Sequence, residues 1–243
     1  NTAQTSYHGL VEALLETYPG RRIRFAQIAV KDAKFRTFIS DATLRRDLFP
    51  HVYDVTYGVV RPGADNLVVI DDSVVRGNTI RNAILPILDR LGPRRIVVAS
   101  AAPPLCYPDC YGIDMASFEQ LVAFQAVVSL LRQTGDTALL EDCAAQARAD
   151  LARPDAEMRN RVQPLYARFP FETLCAEIGR LLKPEGLAAE FAIVFQTCEK
   201  LADCIPGHTG DWYFTGNYPT PGGNRVVNRA LVNFMEKNSE RAY

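Results

Sequence analysis

Two adjacent carboxylates, Asp71 and Asp72, are followed without a gap by Ser73, Val74, Val75, Arg76, Gly77, Asn78 and Thr79. Small and hydroxylated residues in such a run let the backbone bend so that its amides and hydroxyls wrap an anion, and a glycine allows close approach. Arg76 adds positive charge of its own. The acids point to something else, because a carboxylate repels a simple phosphate. Their chemistry suits sugar hydroxyls, or a hard cation held by oxygen ligands.

The elements that must position these groups are legible on either side. Residues 66–71 are a short unbroken apolar run ending in acid, residues 94–100 are a second one, and residues 79–91 between them carry apolar side chains at helical spacing. That is a βαβ unit, so the predicted class is α/β. Its first strand delivers both acids to the carboxyl edge of the sheet, where open α/β folds bind ligands. The helix that follows turns the positive end of its dipole toward the anion. Apolar strands without alternation predict a parallel sheet covered on both faces.

Upstream, residues 7–18 read as a helix stopped by Pro19 and Gly20, residues 23–30 as a strand, residues 31–50 as a long functional loop and residues 52–60 as extended chain. Downstream, helical patterns fall at 117–134, 137–152 and 171–183, with a further strand at 191–195. Residues 205–224, dense in Gly, Pro, Asn and aromatics, read as turns. The expected division is a core over 1–125 and a mainly helical appendage over 126–243.

Composition narrows the partners. With 27 basic and 28 acidic residues the formal charge is -1, so any anion site is local and neither nucleic acid nor an acidic membrane is expected. The six cysteines form no CxxC pair, which argues against a zinc ribbon and predicts reduced, mostly buried thiols in a cytoplasmic protein. No apolar run approaches the ~18 residues of a membrane span. His8, His51 and His208 fall in no ligand spacing. The chain opens at Asn1 in a polar stretch that runs straight into the amphipathic pattern Leu10, Val11, Leu14 and Leu15, which predicts that a segment upstream has been removed.

The ordered stretch from the apolar strand through Thr79 resembles the phosphoribosyl pyrophosphate signature of type I phosphoribosyltransferases. The resemblance implies that family's fold, a mostly parallel sheet flanked by helices. It places Asp71 and Asp72 on the ribose 2- and 3-hydroxyls close to Mg2+, and the backbone of Ser73, Val74, Val75, Arg76, Gly77, Asn78 and Thr79 around the 5-phosphate. Asn78 stands where threonine is usual, and still offers hydrogen-bond donors.

Further stretches are similar to amidophosphoribosyltransferases. The segment from Lys31 through Arg36, Thr37, Phe38 and Ile39 resembles their flexible catalytic loop, one residue shorter than the commoner bacterial pattern. Tyr107 and Pro108, with Tyr111, Gly112, Ile113, Asp114 and Met115, resemble a second loop of the same enzymes. Asn1, Thr2 and Ala3 resemble the tail of their pyrophosphate-binding loop, and residues 210–223 the tail of a long bacterial form.

The resemblance implies transfer of ammonia to 5-phosphoribosyl pyrophosphate, giving 5-phosphoribosylamine and pyrophosphate, the first committed step of purine synthesis. Lys31 and Arg36 would meet the pyrophosphate, while Thr37, Phe38, Ile39 and Asp114 would line the ammonia route. The implied partner is an N-terminal glutaminase domain opening on a nucleophilic cysteine. Asn1 opens this chain, so no glutaminase activity is expected of it. Gly207, Gly210 and Asp109 stand where cluster-bearing members have cysteines, so no iron-sulfur cluster is expected. Homo-oligomers and nucleotide inhibition also follow from the resemblance. Two alternatives stay open. A nucleobase salvage transferase would normally be shorter and lack the second loop and the long tail. A non-catalytic sensor of phosphoribosyl pyrophosphate would be expected to show a basic recognition face.

Overall fold

The computed structural model describes residues 53–112 and 115–242, together with Glu16, Ile23, Arg24, Ala26 and residues 28–31. The chain separates into two compact units, residues 1–59 and 60–243. In the first, β1 (Ala29–Lys31) pairs antiparallel with β2 (Tyr53–Val55), and Thr56 N–H donates to Ile28 O at 2.9 Å to prolong the ladder. The extended chain is therefore shorter than the 52–60 expected. Of the helix expected at 7–18 only Glu16 is described, and it is helical. Residues 32–50 of the expected loop lie outside the described residues.

In the second unit the βαβ reading holds. β3 (Asn66–Asp71), β4 (Arg95–Ser100) and β5 (Glu190–Phe195) form a parallel sheet in that order, with Asp71, Ser100 and Phe195 level at one end. Between β3 and β4 a π-helical turn, Ile80–Ile84, leads into α1 (Leu85–Asp89). The turn is wide because Leu85 N–H donates to Ile80 O, five residues back. It sits just before Pro86, which has no N–H to continue the usual register.

The core lies around α2 (Val122–Thr134), preceded by a short 3-10 turn at Phe118–Gln120. Phe118 stacks on Phe124 at 4.1 Å between ring centres, and Phe124 meets Phe234 edge-on at 5.0 Å. Gly135, at φ 75°, ends α2 by donating to Leu131 O and Arg132 O, the left-handed cap that glycine adopts without strain. There follow α3 (Thr137–Asp150), α4 (Gln163–Ala167), α5 (Phe171–Leu182), α6 (Cys198–Cys204), α7 (Trp212–Thr215) and α8 (Pro221–Glu236). α5 packs on the sheet face that carries Ile193, where a Cβ on Gly179 would lie 3.2 Å from Ile193 Cγ2.

A second framework joins the loop after β4 to the chain around α7. Cys106 N–H and Tyr107 N–H both donate to Tyr213 O, at 2.8 and 3.1 Å. Tyr213 Oη–H donates to the buried Asp109 carboxylate at 2.7 Å, Tyr218 Oη–H to Pro108 O, and Tyr166 Oη–H to Cys106 O at 2.6 Å. Asn160 Nδ2 donates to Gly216 O at 3.0 Å. The two stretches singled out in the sequence, residues 107–112 and 210–223, thus pack together.

Three expectations change. The face of the sheet that carries Val68, Ile70 and Val194 leaves those side chains 65, 77 and 56% exposed, so burial along β3 alternates instead of being continuous. Residues 205–224 are not all turns: α7 lies within them and α8 begins at Pro221, because Val226, Val227, Ala230, Leu231 and Phe234 recur at helical spacing among polar residues. Of the six cysteines only Cys106 and Cys143 are buried, while Cys204 is exposed, and none is in a disulfide. No helix among the described residues is long and apolar enough to cross a membrane.

Removing the ring of Phe124, fully buried between two other rings, should lower stability by about 3–5 kcal/mol, read as a fall in the urea midpoint of Phe124→Ala. Gly216 and Gly186 have almost the same φ, 74° and 76°, yet a Cβ on Gly216 would lie 2.5 Å from Asn160 Nδ2 whereas one on Gly186 meets nothing within 4 Å. Both alanine variants should lose the roughly 1–2 kcal/mol of a left-handed residue, and Gly216→Ala distinctly more. Equal losses in thermal unfolding would show that the aromatic framework yields freely.

Candidate functional site

The carboxyl edge of β3 carries the two acids. The sheet ladder continues past the strand ends, since Ala101 N–H donates to Asp71 O at 2.9 Å and Ala102 N–H to Asp72 O at 3.0 Å. Each acid also folds back on the chain: Asp71 Oδ1 accepts from Asp72 N–H at 3.0 Å, and Asp72 Oδ1 from Ser73 N–H at 2.6 Å. These bonds orient both carboxylates and engage one oxygen of each. Burial pushes the Asp71 carboxyl above the ordinary aspartate range of 3.8, and the neighbouring Asp72 charge adds to the rise while the Asp72 amide opposes it.

Beyond the acids the turn is held from outside. Val74 is buried, and Val75 O accepts from Val122 N–H at the start of α2, at 2.9 Å. Arg76 Nη2 donates to Gln120 Oε1 at 2.8 Å. Gly77 takes φ 70°, and a Cβ there would lie 2.0 Å from Leu182 Cδ2, so the position needs glycine both for its backbone and for lack of room. Arg81 N–H donates to Gly77 O at 2.9 Å and opens the helical run over residues 78–89. The amides of Asn78, Thr79 and Ile80 therefore precede the helix's own acceptors, as the first amides of any helix do. In the chain they follow the two acids after the turn of Ser73 to Gly77.

This arrangement can seat an anion on the helix start and hydroxyls or a divalent cation on the acids. Carboxylate oxygens are the donors a hard cation prefers, although two leave most of its shell to ligand oxygens and water. Among the described residues no group of three or more His, Cys, Asp or Glu could hold a metal ion. Cys106 and Cys175 are poor candidates in any case, since burial holds Cys106 well above its ordinary range and pushes Cys175 up to about 12.

Of the residues predicted from sequence, Asp71, Asp72, Ser73, Val74, Val75, Arg76, Gly77, Asn78 and Thr79 lie together on this turn. Lys31 is described only through its backbone, in β1. Arg36, Thr37, Phe38, Ile39 and Asp114 lie outside the described residues. Sequence reasoning missed Leu182, which closes on Gly77 from the end of α5, and Gln120, which holds Arg76. Neither carries a local signal, because each acts through a contact far along the chain.

No family model matches the chain. The amidophosphoribosyltransferase of Escherichia coli is 40% identical over 68 residues, covering 28% of this chain and 13% of that one. The Drosophila melanogaster enzyme of the same name is 36% identical over 104 residues, 42% of this chain and 18% of its own. The Bacillus subtilis one is 35% identical over 99 residues, 40% and 20% of the two chains. The matched stretches are thus a fifth or less of these relatives. Among solved structures, the glutamine phosphoribosylpyrophosphate amidotransferase from B. subtilis, complexed with ADP and GMP, superposes with a TM-score of 0.48 at 23% identity, over 88% of this chain and 35% of that one. Between about a quarter and two fifths of this chain, 24–42% depending on the relative, is accordingly homologous to amidophosphoribosyltransferases.

Proposed function

We propose that this chain is the phosphoribosyltransferase domain of an amidophosphoribosyltransferase, joining ammonia to 5-phosphoribosyl pyrophosphate in the first step of purine synthesis. The observation that carries the reading is the turn at the edge of β3, where two oriented carboxylates run directly into a glycine-pinned helix start. A ligand that needs both groups at once must bear a phosphate and vicinal hydroxyls. Asp71 and Asp72 accept hydrogen bonds from the ribose 2- and 3-hydroxyls, and the amides of Asn78, Thr79 and Ile80 with the hydroxyls of Ser73 and Thr79 hold the 5-phosphate.

The ammonia lone pair forms a bond to the anomeric carbon as the bond from that carbon to pyrophosphate breaks, and the product ammonium then loses a proton to solvent. The resemblance assigns the departing pyrophosphate to Lys31 and Arg36 and the ammonia route to Thr37, Phe38, Ile39 and Asp114. Mg2+, when bound beside Asp71 and Asp72, supplies positive charge to the pyrophosphate oxygens. The protein's own work is positioning and electrostatics, which suits a displacement that needs no covalent help.

The double variant Asp71→Asn, Asp72→Asn should lose at least about a hundredfold in affinity for phosphoribosyl pyrophosphate in Mg2+, by calorimetry, with its far-ultraviolet spectrum unchanged. Undiminished binding would sink the assignment. Pyrophosphate release that depends on ammonia then separates a transferase from a protein that only binds the ligand.

The Asp71 carboxyl also makes a prediction about pH. Its folded pKa is raised, so the folded state holds this proton more tightly than the unfolded chain does, and the stability so gained is lost as pH rises from below 3.8 through the folded value. In the absence of ligand, Asp71→Asn should therefore melt higher than the parent protein at neutral pH and lose that advantage in acid. A constant difference across the pH range would contradict the raised value.

A further inference from the structure

We infer that a cavity behind the phosphate turn binds a small zwitterion of the free amino-acid class. The cavity encloses 190 Å3, and Arg76, Arg81, Glu119, Gln120, Gln125 and Leu182 are among the residues that line it. Gly77 and Asn78 of the turn line it as well, whereas Asp71 and Asp72 do not, so the cavity shares the turn with the proposed sugar-phosphate site and differs from it in its other walls. At that size it suits a ligand smaller than those whose sites run to roughly 300–1,000 Å3.

The lining carries charge of both signs that the protein leaves unneutralised. Arg81 and Glu119 are both exposed side chains on this cavity, and among the described residues neither has an ion-pair or side-chain hydrogen-bond partner, not even the other. Two further groups are already oriented. Arg76 Nη2 donates to Gln120 Oε1 at 2.8 Å, which leaves the Gln120 amide NH2 as a donor. Gln125 Nε2 donates to Glu119 O at 2.6 Å, which leaves Gln125 Oε1 as an acceptor. A ligand carboxylate finds donors in Arg81 and Gln120, a ligand ammonium finds acceptors in Glu119 and Gln125, and a small side chain can lie against Leu182. A phosphate dianion would use only the first pair and would meet the Glu119 charge. A neutral sugar would leave Arg81 unanswered. Only a molecule with both charges uses the whole set.

The test is saturation-transfer NMR on the full 243-residue chain with each of the twenty protein amino acids in turn, and with inorganic phosphate. At least one amino acid should bind saturably, and Arg81→Gln and Glu119→Gln should each weaken it about tenfold or more. Both side chains are exposed, so the variants should keep the parent unfolding midpoint and their affinity for phosphoribosyl pyrophosphate. The Asp71→Asn, Asp72→Asn protein should still bind the amino acid, which separates this site from the proposed catalytic one. Saturation by none of the amino acids, by phosphate alone, or with equal affinity in both variants would overturn the inference.

Discussion

A turn has no core of its own, and the turn over residues 71–79 keeps its course because other elements bond it on every side. The amides of Ala101 and Ala102 take the carbonyls of the two acids, and the Val122 amide takes that of Val75. Leu182 fills the space that a side chain at residue 77 would need. Three separate stretches of chain thereby set one backbone path. A site made of amides depends on this more than one made of side chains, because an amide cannot swing to meet its ligand. The βαβ unit supplies the edge, but the start of α2 and the end of α5 supply the shape.

The same geometry places unlike charges close together in sequence. Carboxylates at the strand end are stabilised by nearby amides, yet partial burial still raises the Asp71 carboxyl. In the ligand-free protein partial burial thus disfavours the charged form of Asp71. Natural sites tolerate such groups when a ligand relieves the penalty, and a replacement that improves the empty protein then costs affinity.

How much of this was legible in the sequence depends on range. The apolar run of residues 66–71 marked β3 to the residue, and residues 94–100 marked β4 to within one, because short apolar runs rich in Val and Ile favour strands. The acids and the glycine after them also read directly, as their meaning is local. What failed was everything decided by a distant partner. Apolarity of Val68 and Ile70 predicts burial, yet coverage depends on what packs there, and both are exposed. α8 was hidden because Gly222, Gly223 and Asn224 look like turn formers while Pro221 starts the helix that contains them. Gln120 and Gln125 look like ordinary polar surface until the fold brings them to one cavity with Arg81.

The aromatic framework shows the same dependence on distant pairing. Asp109 stands where the resemblance to cluster-bearing enzymes would put a cysteine, and its carboxylate is buried and accepts the Tyr213 hydroxyl at 2.7 Å. Burial, and after it the bond to Asp109, pushes the Tyr213 hydroxyl up to about 12, so it keeps its proton and remains a donor at any physiological pH. A buried acceptor and a half-buried donor tie residues 104 positions apart in the chain. Losing the Tyr213 hydroxyl takes a hydrogen bond from a buried carboxylate, a costlier loss than at an exposed one. The cross-link between the loop after β4 and the C-terminal segment is therefore strong through the penalty for losing it, and the main-chain bonds from Cys106 and Tyr107 to Tyr213 O make it specific as well.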